Sequence, residues 1–126
     1  MGDCPCGSGD PYARCCGPYH RGERAAPTAE ALMRSRYSAF AVGAAPYLVD
    51  SWHPSTRPAS LELDDDVVWR HLEIMRTQRG GPWDTDGVVE FEARFVQGRS
   101  RGRLHEVSRF VREHGRWFYV DGDVVD

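Results

Sequence analysis

Gly87-Val88-Val89-Glu90-Phe91-Glu92-Ala93-Arg94-Phe95-Val96-Gln97 is the stretch on which the fold turns. Val89, Phe91, Ala93 and Phe95 alternate with Glu90, Glu92 and Arg94, a period of two that sets one strand face on a core and the other in water. Upstream, Gly80-Gly81-Pro82 separates this strand from another over Val67–Arg76. Downstream, Gly98 to Gly102 reads as a turn, Arg103–Glu113 as a third strand, and His114-Gly115 as a tight hairpin turn into a fourth, Arg116–Asp121. Before Asp64 the period is helical. Thr28 caps a helix that carries Glu30 in its first turn, and Ala29, Leu32, Met33, Arg36, Tyr37 and Phe40 fall on one broad face. Gly43 fits its stop. A short second helix begins near Pro46, includes Tyr47, Leu48 and Trp52, and ends before His53-Pro54. Helices first and an antiparallel meander of about four strands afterwards means α+β, with two or three helices on one face of the sheet.

The chain of 126 residues has room for one ordinary core and a small appendage. Its formal charge of −3 argues against a generally basic nucleic-acid binder. No apolar leader or long apolar run occurs in it, so a cytoplasmic protein with no membrane segment is expected. All 16 basic residues are arginine. The simple origin is a GC-rich genome; the functional one is a preference for planar, bidentate contacts to carboxylate or phosphate.

The four cysteines, Cys4, Cys6, Cys15 and Cys16, all fall near the N-terminus. Cys4 and Cys6 are too close for a relaxed bridge, and Cys15–Cys16 would close a strained vicinal ring. Four thiolates around one structural Zn²⁺ suffer neither constraint, although Cys4–Cys15 and Cys6–Cys16 pairing stays open in an oxidising compartment. Gly7-Ser8-Gly9 can turn sharply, Asp10 is a candidate N-cap with Pro11 at the first helical position, and Gly17-Pro18 is a candidate stop. The −2 charge of four thiolates and Zn²⁺ would be offset by Arg14, Arg21 or backbone amides. Residues 23–27 read as a linker.

Cys4-Pro-Cys6-Gly-Ser-Gly followed by Cys15-Cys16 resembles the SEC-C motif, whose last ligand is usually histidine. Here that position is Cys16, with His20 as the fallback. Ala31–Phe40, Tyr47-Leu48, Trp52–Arg57, and Leu104–Phe110 with Gly115-Arg116-Trp117 resemble the YchJ family. The resemblance implies a SEC-C zinc-binding motif over residues 1–22. It further implies a cone-like domain over 28–126, similar to nuclear transport factor two, with a curved sheet. It names no reaction.

A cone of this kind often holds a pocket, and Arg36, Tyr37, Trp52, His53, Glu106 and Ser108 are the candidates to line it. Glu106 and Ser108 share one face of the third strand, and Arg36 is the natural ion-pair partner for Glu106, because a carboxylate buried alone is costly. The functional alternative makes Glu106 a general base, with His53 assisting, and Arg36 a binder of an anionic ligand. Arg99, Arg101 and Arg103 could grip RNA phosphate, with a solvated turn as the simpler reading and specific nucleic-acid binding not expected. The Cys₄ site would be structural, so the expected role is a binding one. The zinc motif would dock on a protein partner or the ribosome, and an enzyme or small-ligand binder acting in the cone pocket is the alternative.

Overall fold

The computed structural model describes residues 2–125. A 3₁₀ turn at Tyr12–Arg14 precedes α1 (Gly17–His20), α2 (Ala29–Val42) and α3 (Ala45–Asp50). Then follow β1 (Val67–Arg79), β2 (Asp86–Gln97), β3 (Ser100–Glu113) and β4 (Arg116–Val124). The strands pair in the order β1-β2-β3-β4, all antiparallel. Irregularities in register at Trp69/His71, Ile74/Arg76 and Arg109/Phe110 bend this meander. The α+β class, with three helices on a four-stranded antiparallel sheet, is therefore as the sequence predicts.

α2 begins and ends where its capping residues require. The Thr28 hydroxyl accepts the Ala31 N–H at 3.0 Å, and Gly43 closes the helix at φ 82°, a left-handed position that costs glycine little. The first helical N–H, from Ala29, is given to Gly80 O at 2.9 Å, so the helix start is docked on the β1–β2 connection. That approach needs glycine at position 87, where a β-carbon would come within 2.5 Å of Gly80 Cα. Below the helix, Leu32, Met33 and Tyr37 pack on Leu72, Val89, Phe91, Ala93, Phe110 and Trp117.

Some boundaries differ from expectation. The β2–β3 connection is only Gly98-Arg99, because Gln97 pairs with Ser100 and the strand absorbs Ser100–Gly102. β1 runs on to Arg79 and β4 to Val124. Trp52 lies outside α3, which Ser51 caps, and bridges to Tyr119 instead. Pro11, not Asp10, precedes the 3₁₀ turn, and Gly17-Pro18 opens α1 rather than stopping a helix. Proline suits the first helical turn, where its missing N–H leaves no bond unmade. Residues 23–27 are pinned rather than free: Ala26 is buried and Trp117 Nε1 donates to Pro27 O at 3.2 Å. No helix among the described residues is long and apolar enough to cross a membrane.

Candidate metal centre

The four cysteine sulfurs lie within 4.8 Å of one another, with Cys4, Cys6 and Cys16 buried and Cys15 half-buried. Tetrahedral coordination at Zn–S distances of about 2.3 Å would set sulfurs roughly 3.8 Å apart. The Cys6–Cys15 separation is 3.6 Å, and no pair is bonded as a disulfide. The donor set therefore fits one tetrahedral ion. Around it the chain is folded by its own backbone: Cys4 N donates to Asp10 O, and Gly7 N to Cys4 O. Ser8 Oγ lies 3.1 Å from Cys15 Sγ.

Without an ion the thiols compete for protons. A hydrogen bond from Cys16 holds the Cys6 thiol down to about 4, although burial opposes it. The reciprocal bond and burial push Cys16 far above the usual thiol range, while desolvation raises Cys15 to about 11. Four thiols packed this closely form a donor set on which a soft dication can replace protons.

His20 is not a ligand. Its Nε2 lies 2.8 Å from Ser35 O, which can only accept, so this nitrogen carries the proton; Nδ1 then accepts from Tyr12 OH at 2.6 Å. Both ring nitrogens are committed, and the fourth sulfur of the cluster is that of Cys16. The ring also packs at a tilt against Tyr47, centroid to centroid 4.7 Å. Burial lowers the His20 pKa below its ordinary 6.5. The native protein then holds fewer protons than the unfolded chain below that value, so stability rises with pH through the window. We expect unfolding free energy to fall as pH drops from about 6.5. His20→Gln should flatten that dependence in urea titrations between pH 7 and 5; an unchanged slope would place its cause elsewhere.

Beside the His20–Tyr47 ring contact, three polar contacts tie the module to α2. His20 reaches Ser35 O, Ser38 Oγ lies 3.4 Å from Cys4 Sγ, and Arg34 Nη1 donates to Cys6 O at 2.8 Å. Both nearby arginines are held by carboxylates, Arg34 by Glu30 at 3.0 Å and Arg21 by Glu23 at 2.7 Å. The sequence signal for this face was Ser35 and Ser38, two hydroxyls on a helix turn otherwise due for the core, and both are fully buried.

The six pocket candidates line none of the clefts described below. Arg36, Tyr37 and Ser108 are under 5% exposed. Val89 pairs with Ser108 and Phe91 with Glu106, so Glu106 and Ser108 do face the helices. Yet Arg36 and Glu106 form no salt bridge. Arg36 Nη1 donates to Leu48 O at 2.8 Å and Ser51 Oγ at 2.6 Å, with Tyr119 and Trp52 rings 4.5 and 5.0 Å from its guanidinium carbon. Glu106 accepts from Ser108 Oγ at 2.6 Å and Tyr119 OH at 3.2 Å. Tyr119 stands between them. His53 lies at the β3–β4 hairpin, its Nδ1 accepting the Ser55 N–H and its Nε2 3.0 Å from Glu113 Oε1.

The remaining recesses lie elsewhere. One, of about 450 Å³, lies at the seam of module and domain, lined by Tyr19, His20, Arg24, Tyr47, Arg116 and Trp117 among others. A second, of about 460 Å³, lies across one end of the strands, and a third of about 170 Å³ lies beside the start of α2.

Known proteins match this geometry in both parts. The middle, NTF2-like domain of YchJ matches residues 28–122, and the SEC-C motif matches residues 3–18. The chain belongs to the YchJ family. It is 54% identical to a UPF0225 protein of Chromobacterium violaceum, over 94% of this chain and 90% of that one. It is 52% identical to a UPF0225 protein of Streptomyces coelicolor, over 98% and 96%. The solution structure of a SEC-C motif containing protein from Rhodopseudomonas palustris superposes at TM-score 0.85, with 36% identity and 98% of both chains covered. A crystal structure of a Psychrobacter arcticus SEC-C motif containing protein gives 0.77 at 29% identity, over 98% of this chain and 82% of that one. The YchJ-family domain and the cysteine cluster are thus present together in one chain.

Proposed function

We propose that this YchJ-family chain is a cytoplasmic adapter whose Cys4, Cys6, Cys15 and Cys16 hold one structural Zn²⁺, and whose SEC-C module docks on a protein partner or the ribosome. The observation that carries the reading is the closed donor set: four thiolates fill a tetrahedral shell and leave no position for a substrate or water. Such an ion serves to hold a surface. The surface it holds is Gly7–Asp10 and Arg14, which face solvent while the cysteines face α2. Unpaired thiols at this density suit a reducing compartment.

The test leaves the module folded. Asp10→Arg with Arg14→Glu keeps the net charge and alters only exposed side chains. Ribosome co-sedimentation and affinity capture are compared for this variant and the native chain at equal zinc content. Capture lost by the variant is the expected result; equal capture by both would sink the adapter role. Removing residues 1–22 is the poorer test, since it would strip cover from Ser35 and Ser38 and damage the domain itself.

A further inference from the structure

We propose that the cleft of Arg70, Arg94 and Arg101 binds the phosphate chain of a single-stranded nucleic acid. The cleft holds about 460 Å³ and is completed by Phe95, Val96 and Gly102. Its cations come from three strands, and each arrives for a structural reason. The register of β1 passes from Trp69↔Phe95 to His71↔Arg94, which leaves Arg70 as the extra, unpaired residue of a bulge. In β2 and β3, Val96 lies opposite Arg101, and Arg94 lies directly opposite Arg103. Like charges set opposite one another across strands destabilise a sheet. Here one carboxylate serves both: Glu92 meets Arg94 Nε at 3.1 Å and Arg103 Nη1 at 3.2 Å. Arg70 and Arg101 have no salt bridge among the described residues, and Arg99 stands in the adjoining two-residue turn. Of the tip arginines, Arg101 therefore lines a larger recess that strand pairing assembles.

The chemistry of the ligand follows. Arginines brought to one recess from three strands suit an anion with accepting oxygens on several sides, which phosphate offers and a planar carboxylate does not. The recess is an indentation in a sheet rather than a protruding helix or ribbon, so it suits a flexible strand and not a duplex groove. The acidic groups near it are engaged: Gln97, beside Val96 of the recess and opposite Ser100, donates to both Asp64 and Asp66. Asp121 and Asp123 are turned to Arg109. A local basic site on a chain of net −3 should bind weakly at a distance and lose affinity steeply with salt. This site is independent of the SEC-C surface, and either can fail without the other.

The experiment uses a fluorescent oligouridylate and anisotropy titrations from about 50 to 200 mM salt. Native protein should bind with a negative log–log salt slope. Arg70→Ala with Arg101→Ala removes two exposed guanidinia, which should weaken binding at least tenfold and make the slope shallower by about 1.4, at roughly 0.7 per phosphate contact. Arg24→Ala with Arg116→Ala removes the same charge at the recess between module and domain and should leave binding within twofold. Three results would overturn the proposal. These are no oligouridylate binding at the lowest salt, equal loss in both double variants, or polyglutamate of matched charge binding the native chain as tightly.

Discussion

Cys6→Ser is expected to release the bound metal and lower the melting temperature of the whole chain by about 10 °C, equivalent to roughly 3 kcal/mol at this size. The argument starts from what the module has for a core. Its buried apolar cluster is Cys4, Cys6 and Cys16, flanked by Tyr12 and Cys15, so the ligands are the interior. A segment this short buries too little to order itself, and metal–thiolate bonds would supply what burial does not. Cys6 is the ligand with most to lose: it is 1% exposed, and its backbone carbonyl accepts the Arg34 guanidinium. Serine keeps the shape but gives a weak ligand for a soft ion.

The loss should not stay local. Once the module loosens, Ser38 loses the sulfur it faces and Ser35 O its histidine donor, both on the helix that covers the sheet. A chelator added to native protein should therefore shift the single melting transition of the domain, followed by circular dichroism alongside metal analysis. If Cys6→Ser kept one equivalent of metal and melted unchanged, the ligand set would be wrong. If metal were lost with no shift, the three ties to α2 would carry no energy.

How far the sequence foretold this depends on the range of the interaction. The strand alternation of β2, the Thr28 cap, the Gly43 stop and the cysteine spacing are local, and each stands where it was read. The face of β3 could not be settled until pairing set Ser108 against Val89. Arg36 was rightly placed in the interior but wrongly paired, because the sequence shows that a buried cation needs partners without showing that carbonyl, hydroxyl and aromatic rings would suffice. His20 is a fallback ligand only through the motif's usual final histidine; the position of Ser35 O reveals that its ring is occupied. Long-range placement, not residue chemistry, is what was missing.

Arg36→Ala should cost about 3–5 kcal/mol, while Glu106→Gln costs less than about 1 kcal/mol. At 4% exposure and with burial pulling its pKa down to about 10, the guanidinium stays charged at neutral pH inside the protein. What holds it is fixed in place: Leu48 O at the end of α3, Ser51 Oγ, and the faces of Trp52 and Tyr119. Alanine leaves a cavity in a packed interior and strips a charged donor from α3. Arg36→Met refills most of the volume but not the bonds, so its cost should fall between, near 1–3 kcal/mol. Glu106 is a different case. Burial, with the neighbouring carboxylate charge, raises the Tyr119 phenol well above its ordinary value, so the hydroxyl keeps its proton and donates. Ser108 donates as well, and both donors can serve a neutral amide oxygen as they serve a carboxylate. Tyr119→Phe tests the link between the two: it removes the hydroxyl from Glu106 yet leaves the ring under Arg36. A double-mutant cycle of Arg36→Met and Glu106→Gln in urea should therefore give a coupling below about 0.5 kcal/mol. Coupling of 2 kcal/mol or so would show that the two charges stabilise one another through the ring after all. Helix and sheet would then be joined by the ion pair that residue types alone suggest, and Glu106 would regain its claim as a poised carboxylate.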